Sequence, residues 1–265
     1  MDASNVSPVE LQRELASAAA PLLVDVRARA AFLLSDSFIA GALRRSPEET
    51  AEWARSLPAS RPIVVYCEKG GEIGESVANH LVASGRGARF LSGGMRGWVE
   101  GGGVTLQKPV GSVTRWVTRA RPKIDRIACP WLITRFIDSD AEFLYVQTSD
   151  VVDVARRERA IPFDIPDTLF SHEGERCSFD TFLWVFQLND PALVVLARVI
   201  RGADTGRLDL APECAGLLAA SLGLSRLRSD DHAMLRDGLV LYDALYLWAK
   251  EGLQETHTWN PALYR

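Results

Sequence analysis

The stretch Ile63-Val64-Val65-Tyr66-Cys67-Glu68-Lys69-Gly70-Gly71-Glu72 decides the reading of the first part of the chain. Its first four residues are an apolar run bounded by Pro62 and a glycine-bearing loop, the pattern of a short buried strand. The loop leads straight into residues 73–84, where Val77, Ala78, Leu81 and Val82 share one helical face. A cysteine between a strand end and a helix start is well placed for chemistry. The thiolate is the nucleophilic form, and free backbone N–H groups at a helix N-terminus stabilise an anion there. Gly70 and Gly71 let the loop curl so that its N–H groups converge, a cradle for a thiolate or a persulfide sulfur. The competing reading is a buried, inert thiol, since free cysteine is among the most buried residue types.

Working outward, Ser7-Pro8-Val9-Glu10 is a capping box with Pro at the first helical position, and Leu11 and Leu15 give that helix an apolar face. Leu22 to Val26 reads as a strand, Pro47 to Ser56 as helical up to Pro58, and Arg89-Phe90-Leu91 as a third strand. Strand and helix alternate, which predicts an α/β domain with a parallel sheet flanked by helices over residues 1–106. Gly101-Gly102-Gly103 and the polar residues after them predict a linker at 107–113. The remainder, 114–265, reads as a mainly helical α+β domain. Thr114 to Arg119 and Glu142 to Val146 are its strands, and Ile127 to Ile137 a helix constrained by Pro130. Further helices start at Ser178, at Pro191 and at Pro212-Glu213, the last of these ending near Gly223. A final helix runs from about Asp231 to Lys250 and stops at Gly252.

Composition narrows the function classes. Of 265 residues, 47% are hydrophobic and 24% charged, with a formal net charge of −4, so there is no electrostatic case for nucleic acid. Lysine occurs only at Lys69, Lys108, Lys123 and Lys250, which leaves arginine to build any anion site. Cys67, Cys129, Cys177 and Cys214 form no CxxC pair, against a zinc ribbon or a disulfide framework. With no basic, apolar leader and no apolar run of about 20 residues, a reduced cytoplasmic protein is expected, without a membrane partner.

Three motifs taken together resemble the rhodanese family: Asp25-Val26-Arg27, the Tyr66-Cys67 strand end with its six-residue loop, and Leu91-Ser92-Gly93-Gly94-Met95-Arg96-Gly97-Trp98. The resemblance covers roughly residues 5 to 105. It implies a sulfurtransferase that needs no cofactor. Cys67 would accept sulfane sulfur within the loop Glu68, Lys69, Gly70, Gly71 and Glu72, braced by Asp25 and Arg27. Two departures matter. Ser37-Phe38-Ile39-Ala40-Gly41-Ala42 stands where the family usually has Gly-His-Ile-Pro-Gly-Ala, and Glu72 stands where thiosulfate-using members commonly place a cation. Glu68 and Glu75 add negative charge against Lys69 alone, so transfer from a persulfide carrier, or sensing at Cys67, is expected rather than vigorous thiosulfate turnover.

The second half carries longer motifs: Trp116 through Ile133, Phe163-Asp164-Ile165-Pro166, Phe170 through Asp180, Arg201 through Thr205 and Asp230 through Met234. In this order they resemble the C-terminal domain of the chromate resistance protein ChrB, from Arg115 to Lys250. The resemblance implies a role in chromate resistance. Better-known members place a DNA-binding region ahead of this domain; the rhodanese-like region in its stead argues against direct transcriptional regulation.

His172, Glu173, Glu175, Cys177, Asp204, Asp231 and His232 are residue types a divalent metal would choose, and His172, Asp204 and His232 are the candidate ligand set. No spacing such as HExxH supports it, and helix caps are the competing reading. His232 and Asp243 lie 11 residues apart. That is roughly 16 Å along a helix, too far to share an ion, and Asp243 is expected to pair with an arginine. Arg119, Lys123 and Arg126, with Arg121 and Arg135 nearby, are a candidate oxyanion site, since arginine forks suit dianions such as chromate. The competing reading is salt bridges to Asp125, Asp138 and Asp140. Two functions follow: a persulfide-carrying sulfurtransferase linked to chromate resistance, or a chromate- or metal-binding sensor with a catalytically weak rhodanese domain.

Overall fold

The computed structural model describes residues 2–17, 19–58 and 60–255. The expected second domain therefore has its last residues, 256–265, outside the described residues. The first half is built on strands β1 (Ser4–Val6), β2 (Leu22–Asp25), β4 (Leu43–Arg44), β5 (Ile63–Tyr66) and β6 (Ala88–Leu91). They form one parallel sheet in the order β1-β6-β5-β2-β4. The cysteine-bearing strand β5 is central and wholly buried. Its side chains alternate between two cores, as the period of two demands. Ile63 and Val65 join Leu22 and Val24 against Val77, Ala78 and Leu81 of α4 (Glu72–Ala83). Val64 and Tyr66 face Leu11 of α1 (Pro8–Leu15) and Met95 and Trp98 of α5 (Gly94–Glu100). Each such aliphatic side chain contributes about 2 kcal/mol by leaving water. Helix α1 has the capping box read at Ser7 and Glu10.

The sequence reading missed β1, β4 and the antiparallel pair β3 (Ser37–Ile39) with β7 (Thr105–Gln107). These strands are two or three residues long, too short to carry a period of their own. Around them lie α2 (Arg29–Leu34) and α3 (Thr50–Trp53), the latter flanked by 3-10 turns at Pro47–Glu49 and Ala54–Ser56. The segment 107–113 is fastened rather than free. Lys108 is fully buried, and its Nζ donates to the carbonyls of Ser35, Pro109 and Ser112 at 2.8, 2.9 and 2.7 Å.

In the second half β8 (Arg115–Arg119), β9 (Glu142–Val146) and β10 (Ile161–Pro162) form a parallel sheet in the order β10-β8-β9. Helices α6 (Asp125–Leu132) and α7 (Val151–Glu158) make the crossovers. Pro130 does not end α6. It has no N–H to give the Arg126 carbonyl, and the Tyr145 hydroxyl donates to that carbonyl instead, at 3.1 Å. The helix then widens into a π turn at Ile133–Ile137. Helices α8 (Ser178–Val185), α9 (Pro191–Thr205), α10 (Cys214–Leu227) and α11 (Asp231–Leu247) complete the half. Helix α10 runs past Gly223, which has open space beside it and no stop residue after it, and α11 closes in a π turn at Trp248–Gly252. Among the described residues no helix is long and apolar enough to cross a membrane.

The two halves share a single apolar cluster. Polar contacts cross the same boundary: Arg45 donates to the Phe136 carbonyl at 2.7 Å, Arg159 pairs with Asp36 at 3.2 Å, and Arg61 donates to the Gln187 carbonyl. Gly41, at φ +83°, lies where a side chain would strike the Val185 carbonyl.

Candidate functional site

Cys67 stands at the end of β5, 5% exposed, with its Sγ 3.9 Å from the Gly71 carbonyl and against the backbone of Gly74 in the first turn of α4. The first α4 amide bonded to a preceding carbonyl is Glu75 N–H, to Gly71 O at 3.2 Å. The amides of Glu72, Ile73 and Gly74 precede it and have no intrahelical partner, so they are left for an anion at the helix start.

The loop is held in shape by glycines of two motifs. Gly70 and Gly94 both have positive φ, +67° and +55°. A side chain at Gly94 would overlap Cys67 O and Gly70 N, and one at Gly70 would overlap Gly93 N and Gly94 N. That close approach lets Met95 N–H donate to Cys67 O at 2.9 Å and Arg96 N–H to Glu68 O at 3.2 Å. Gly71 has open space around it, so the cradle rests on Gly70, Gly93 and Gly94 more than on Gly71.

Beneath the loop, Arg27 is fully buried and donates from Nε and Nη2 to the Asp25 carboxylate, at 3.0 and 2.6 Å. The Tyr66 hydroxyl donates to Asp25 Oδ2 at 2.9 Å and accepts from Ile39 N–H at 3.2 Å. Arg27 Nη2 also donates to Ser37 O at 3.1 Å, so the variant Ser37–Ala42 segment is wired into the same network. Burial alone would push the Arg27 guanidinium down, but Asp25, Tyr66 and Glu68 together outweigh it and hold the cation.

Glu68 is drawn inward. Its Oε2 is 3.8 Å from Arg27 Nη1 and its Oε1 is 3.3 Å from Arg96 Nε, while Lys69, Glu72 and Glu75 are exposed. Asp25 and Glu68 are thus balanced by Arg27 and Arg96, and the rim keeps two carboxylates against one ammonium. A cleft of about 290 Å³ beside the loop is lined by Ser37, Glu68, Met95 and Arg96 among others.

The candidate residues of the second half divide. His172 and Asp204 meet: His172 Nε2 lies 3.2 Å from Asp204 Oδ2, 3.4 Å from Asp164 Oδ1 and 3.6 Å from Asp125 Oδ2. His232 is not brought to them. It sits at the start of α11, edge-on to Tyr145 with ring centroids 5.6 Å apart. Glu173 pairs with Arg176 instead, Asp231 accepts from Arg121 N–H at 3.1 Å, and Cys177 caps α8.

Asp125 and Asp164 are the residues that sequence reasoning missed as ligands. Asp125 opens α6 after Ile124, a β-branched residue held at φ +40°, and Asp164 itself has φ +52°. Such strain persists only where surrounding structure enforces it. Here the aromatic core does so. Asp164 N–H donates to Phe170 O at 2.8 Å, and Phe170 stacks on Phe182 at 4.3 Å and meets Trp116 edge-on at 5.3 Å. Ser178, at the start of α8, donates from N–H to Asp125 Oδ2 at 2.6 Å and from Oγ to Asp164 Oδ1 at 3.0 Å.

Burial, with Asp204 and Asp164 close by, pushes the Asp125 carboxyl well above its ordinary range, and burial and Asp164 raise Asp204. Burial would raise Asp164 too, but His172 and Arg119 hold it low. The hydrogen bond to Asp164 and the neighbouring carboxylates raise His172 to about 9.

The proposed arginine site does not assemble. Arg119 and Arg126 both reach Asp164 Oδ2, at 2.8 and 3.3 Å, whereas Lys123 lines a separate cleft with Arg121, Leu222, Ser225 and Arg226. The partner is Asp164 and not Asp125, Asp138 or Asp140. Asp138 accepts from Thr114 Oγ1 at 2.6 Å, and Asp140 pairs with Arg29. Arg135 pairs with Asp243 at 2.8 Å, as the helix spacing of Asp243 and His232 suggested. Cys129 and Cys177 are buried near Asp125, and burial and its charge push both thiols well up, away from reactivity.

The ChrB C-terminal domain family matches residues 116–249 and the rhodanese-like domain family matches residues 7–101. Protein ChrB of Cupriavidus metallidurans is 36% identical over 134 residues, 50% of this chain and 40% of that protein. The chain thus spans less than half the length of the curated relative it matches. Solved structures similar to the first half include a rhodanese-like domain protein from Staphylococcus aureus, 22% identical over 36% of this chain and 90% of that one, TM-score 0.33. Another is a full-length protein from Lactobacillus plantarum, 21% identical over 39% of this chain and 87% of that one, TM-score 0.35.

Proposed function

The chain belongs to the ChrB C-terminal domain family and carries a rhodanese-like domain ahead of it, and from this pair we propose that it acts in chromate resistance as a carrier of sulfane sulfur on Cys67. One observation carries the sulfur reading. Cys67 Sγ lies at the N-terminus of α4 within a loop that the Gly93-Gly94 turn clamps in place.

In the proposed step the Cys67 thiolate attacks the terminal sulfur of a donor persulfide, R–S–SH. The donor S–S bond breaks, the Cys67 S–S bond forms, and the donor leaves as the thiol R–SH after taking up the proton. An acceptor thiolate then takes the outer sulfur from Cys67 in the same way. No electrons are gained or lost overall, so no redox cofactor is required. The Asp25–Arg27–Tyr66 network has its role in positioning: it fixes the strand end below the loop and places Arg27 against the Glu68 carboxylate.

The donor class follows from charge. With Glu68 neutralised by Arg27 and Arg96, the rim still carries Glu72 and Glu75 against Lys69, which disfavours a dianion such as thiosulfate. The oxyanion reading of Arg119, Lys123 and Arg126 gains no support, because two are engaged by Asp164 and the third lies elsewhere. We place the protein in the cytoplasm, as expected for a persulfide carrier in a reducing compartment.

The test is steady-state sulfur transfer to cyanide with a small-molecule persulfide or with thiosulfate as donor. The proposal expects a kcat/KM at least about tenfold higher for the persulfide, and expects Glu72→Arg to raise the thiosulfate rate with little change in the other. No transfer from either donor overturns it.

A further inference from the structure

The cluster in the second half asks for an explanation that sulfur chemistry does not supply. Asp125, Asp164 and His172 each offer one ligand atom, and these atoms lie within 4.8 Å of one another. Asp204 Oδ2 faces the same imidazole nitrogen at 3.2 Å. Three chain segments, the start of α6, the loop before α8 and the end of α9, are folded to one point, around an imidazole whose side chain is 41% exposed.

Asp125 supplies the independent observation. It is fully buried, its side chain is directed into the cluster, and its Oδ1 receives no hydrogen bond from the described residues. A buried carboxyl oxygen without a donor is costly unless a cation or a proton meets it. Charge leads the same way. Among the described residues the arginines that reach the three carboxyl groups are Arg119 and Arg126, both on Asp164 Oδ2, which leaves Asp164 Oδ1, Asp125 and Asp204 turned toward His172.

We propose that Asp125, Asp164, Asp204 and His172 Nε2 form a binding site for one divalent first-row transition cation. The donor set selects the class. Calcium and magnesium take oxygen-only shells, whereas one imidazole nitrogen with carboxylate oxygens suits manganese, iron or zinc. Ser178 N–H and Oγ, Arg119 and Arg126 hold the carboxylates from outside, as second-layer groups do in metal sites. The exposed side of His172 leaves room for water or a small ligand on the ion. The rival occupants are protons, one on His172 Nε2 facing the three carboxyl groups and one on the buried Asp125 carboxyl.

The experiment uses the full chain, labelled with 15N in its four histidines, stripped with a chelator and titrated with Zn(II) while the imidazole resonances are followed. The proposal expects saturation at one equivalent, with a single imidazole shifting at Nε2 and that signal missing in His172→Ala. Asp204→Asn, at the most exposed of the three carboxyl groups, should weaken Zn(II) binding at least about tenfold and His232→Ala should leave it unchanged. Mn(II), read by electron paramagnetic resonance, should compete. If no imidazole shifts at one equivalent of either metal, or if the shift belongs to His232, the cluster holds a proton and the proposal fails. The wild-type titration decides this even if a variant fails to fold.

Discussion

The Cys67 loop and the Asp125–Asp164–His172–Asp204 cluster are both anion-rich sites at helix termini, yet they are assembled in opposite ways. The first is made of backbone: a run from Cys67 to Glu72 and a Gly93-Gly94 turn fold onto each other, and only glycine fits the contact. The second is made of side chains from α6, the loop before α8, and α9, held by a core of Trp116, Phe170 and Phe182. The backbone site should therefore be sensitive to small additions and the side-chain site to deletions.

The largest effect separates them outright. Cys67→Ser should abolish sulfur loading while leaving metal uptake and the melting temperature unchanged; loss of both would mean that the two sites are one system. Next comes Arg27→Met, which strands Asp25 below the loop. Urea unfolding should show a loss of about 3–5 kcal/mol, the usual result of breaking one side of a buried pair. Gly94→Ala should cost about 2–3 kcal/mol and most of the transfer rate, since it needs both a positive φ and a displaced Cys67 carbonyl. Gly71→Ala, in open space at φ −106°, should change stability by less than about 1 kcal/mol.

In the metal-free protein, folding raises His172 to about 9. A base whose value is raised on folding stabilises most below its unfolded value, near 6.5, and that contribution fades as pH climbs through 9. The stability gap between wild type and His172→Ala should accordingly shrink from pH 7 to pH 9.5 in thermal melts, by a modest amount because the ring is partly exposed. Smallest is Arg135→Ala, which removes a half-exposed ion pair with Asp243 and should cost under about 1 kcal/mol.

The same contrast explains what could be read from sequence. The strand at Ile63–Tyr66, the helix after it and the capping box at Ser7 are local patterns, and each lies where its residues placed it. The short strands at Ser37–Ile39 and Leu43–Arg44 exist through their neighbours alone. Glu68 looked like part of a repulsive loop because its partners, Arg27 and Arg96, are distant in sequence. His172 and Asp204 were legible as ligand types, but nothing local distinguishes His232, which packs on Tyr145, from a ligand. The available signals for Asp164 and Asp125 were weak: an aspartate inside the apolar Phe163-Asp164-Ile165, and one at the head of a helix with a strongly apolar face. Their meeting at His172 depends on the tertiary fold, where no spacing rule reaches.

The most direct test of the sulfur claim is peptide mass spectrometry of the full chain after brief exposure to a small-molecule persulfide. Cys129, Cys177 and Cys214 serve as buried internal controls. The account predicts one added sulfur on the peptide containing Cys67, removed by cyanide, and none on the other three. An unmodified Cys67 with thiosulfate, mercaptopyruvate and the persulfide alike, or sulfur spread evenly over all four cysteines, would contradict it.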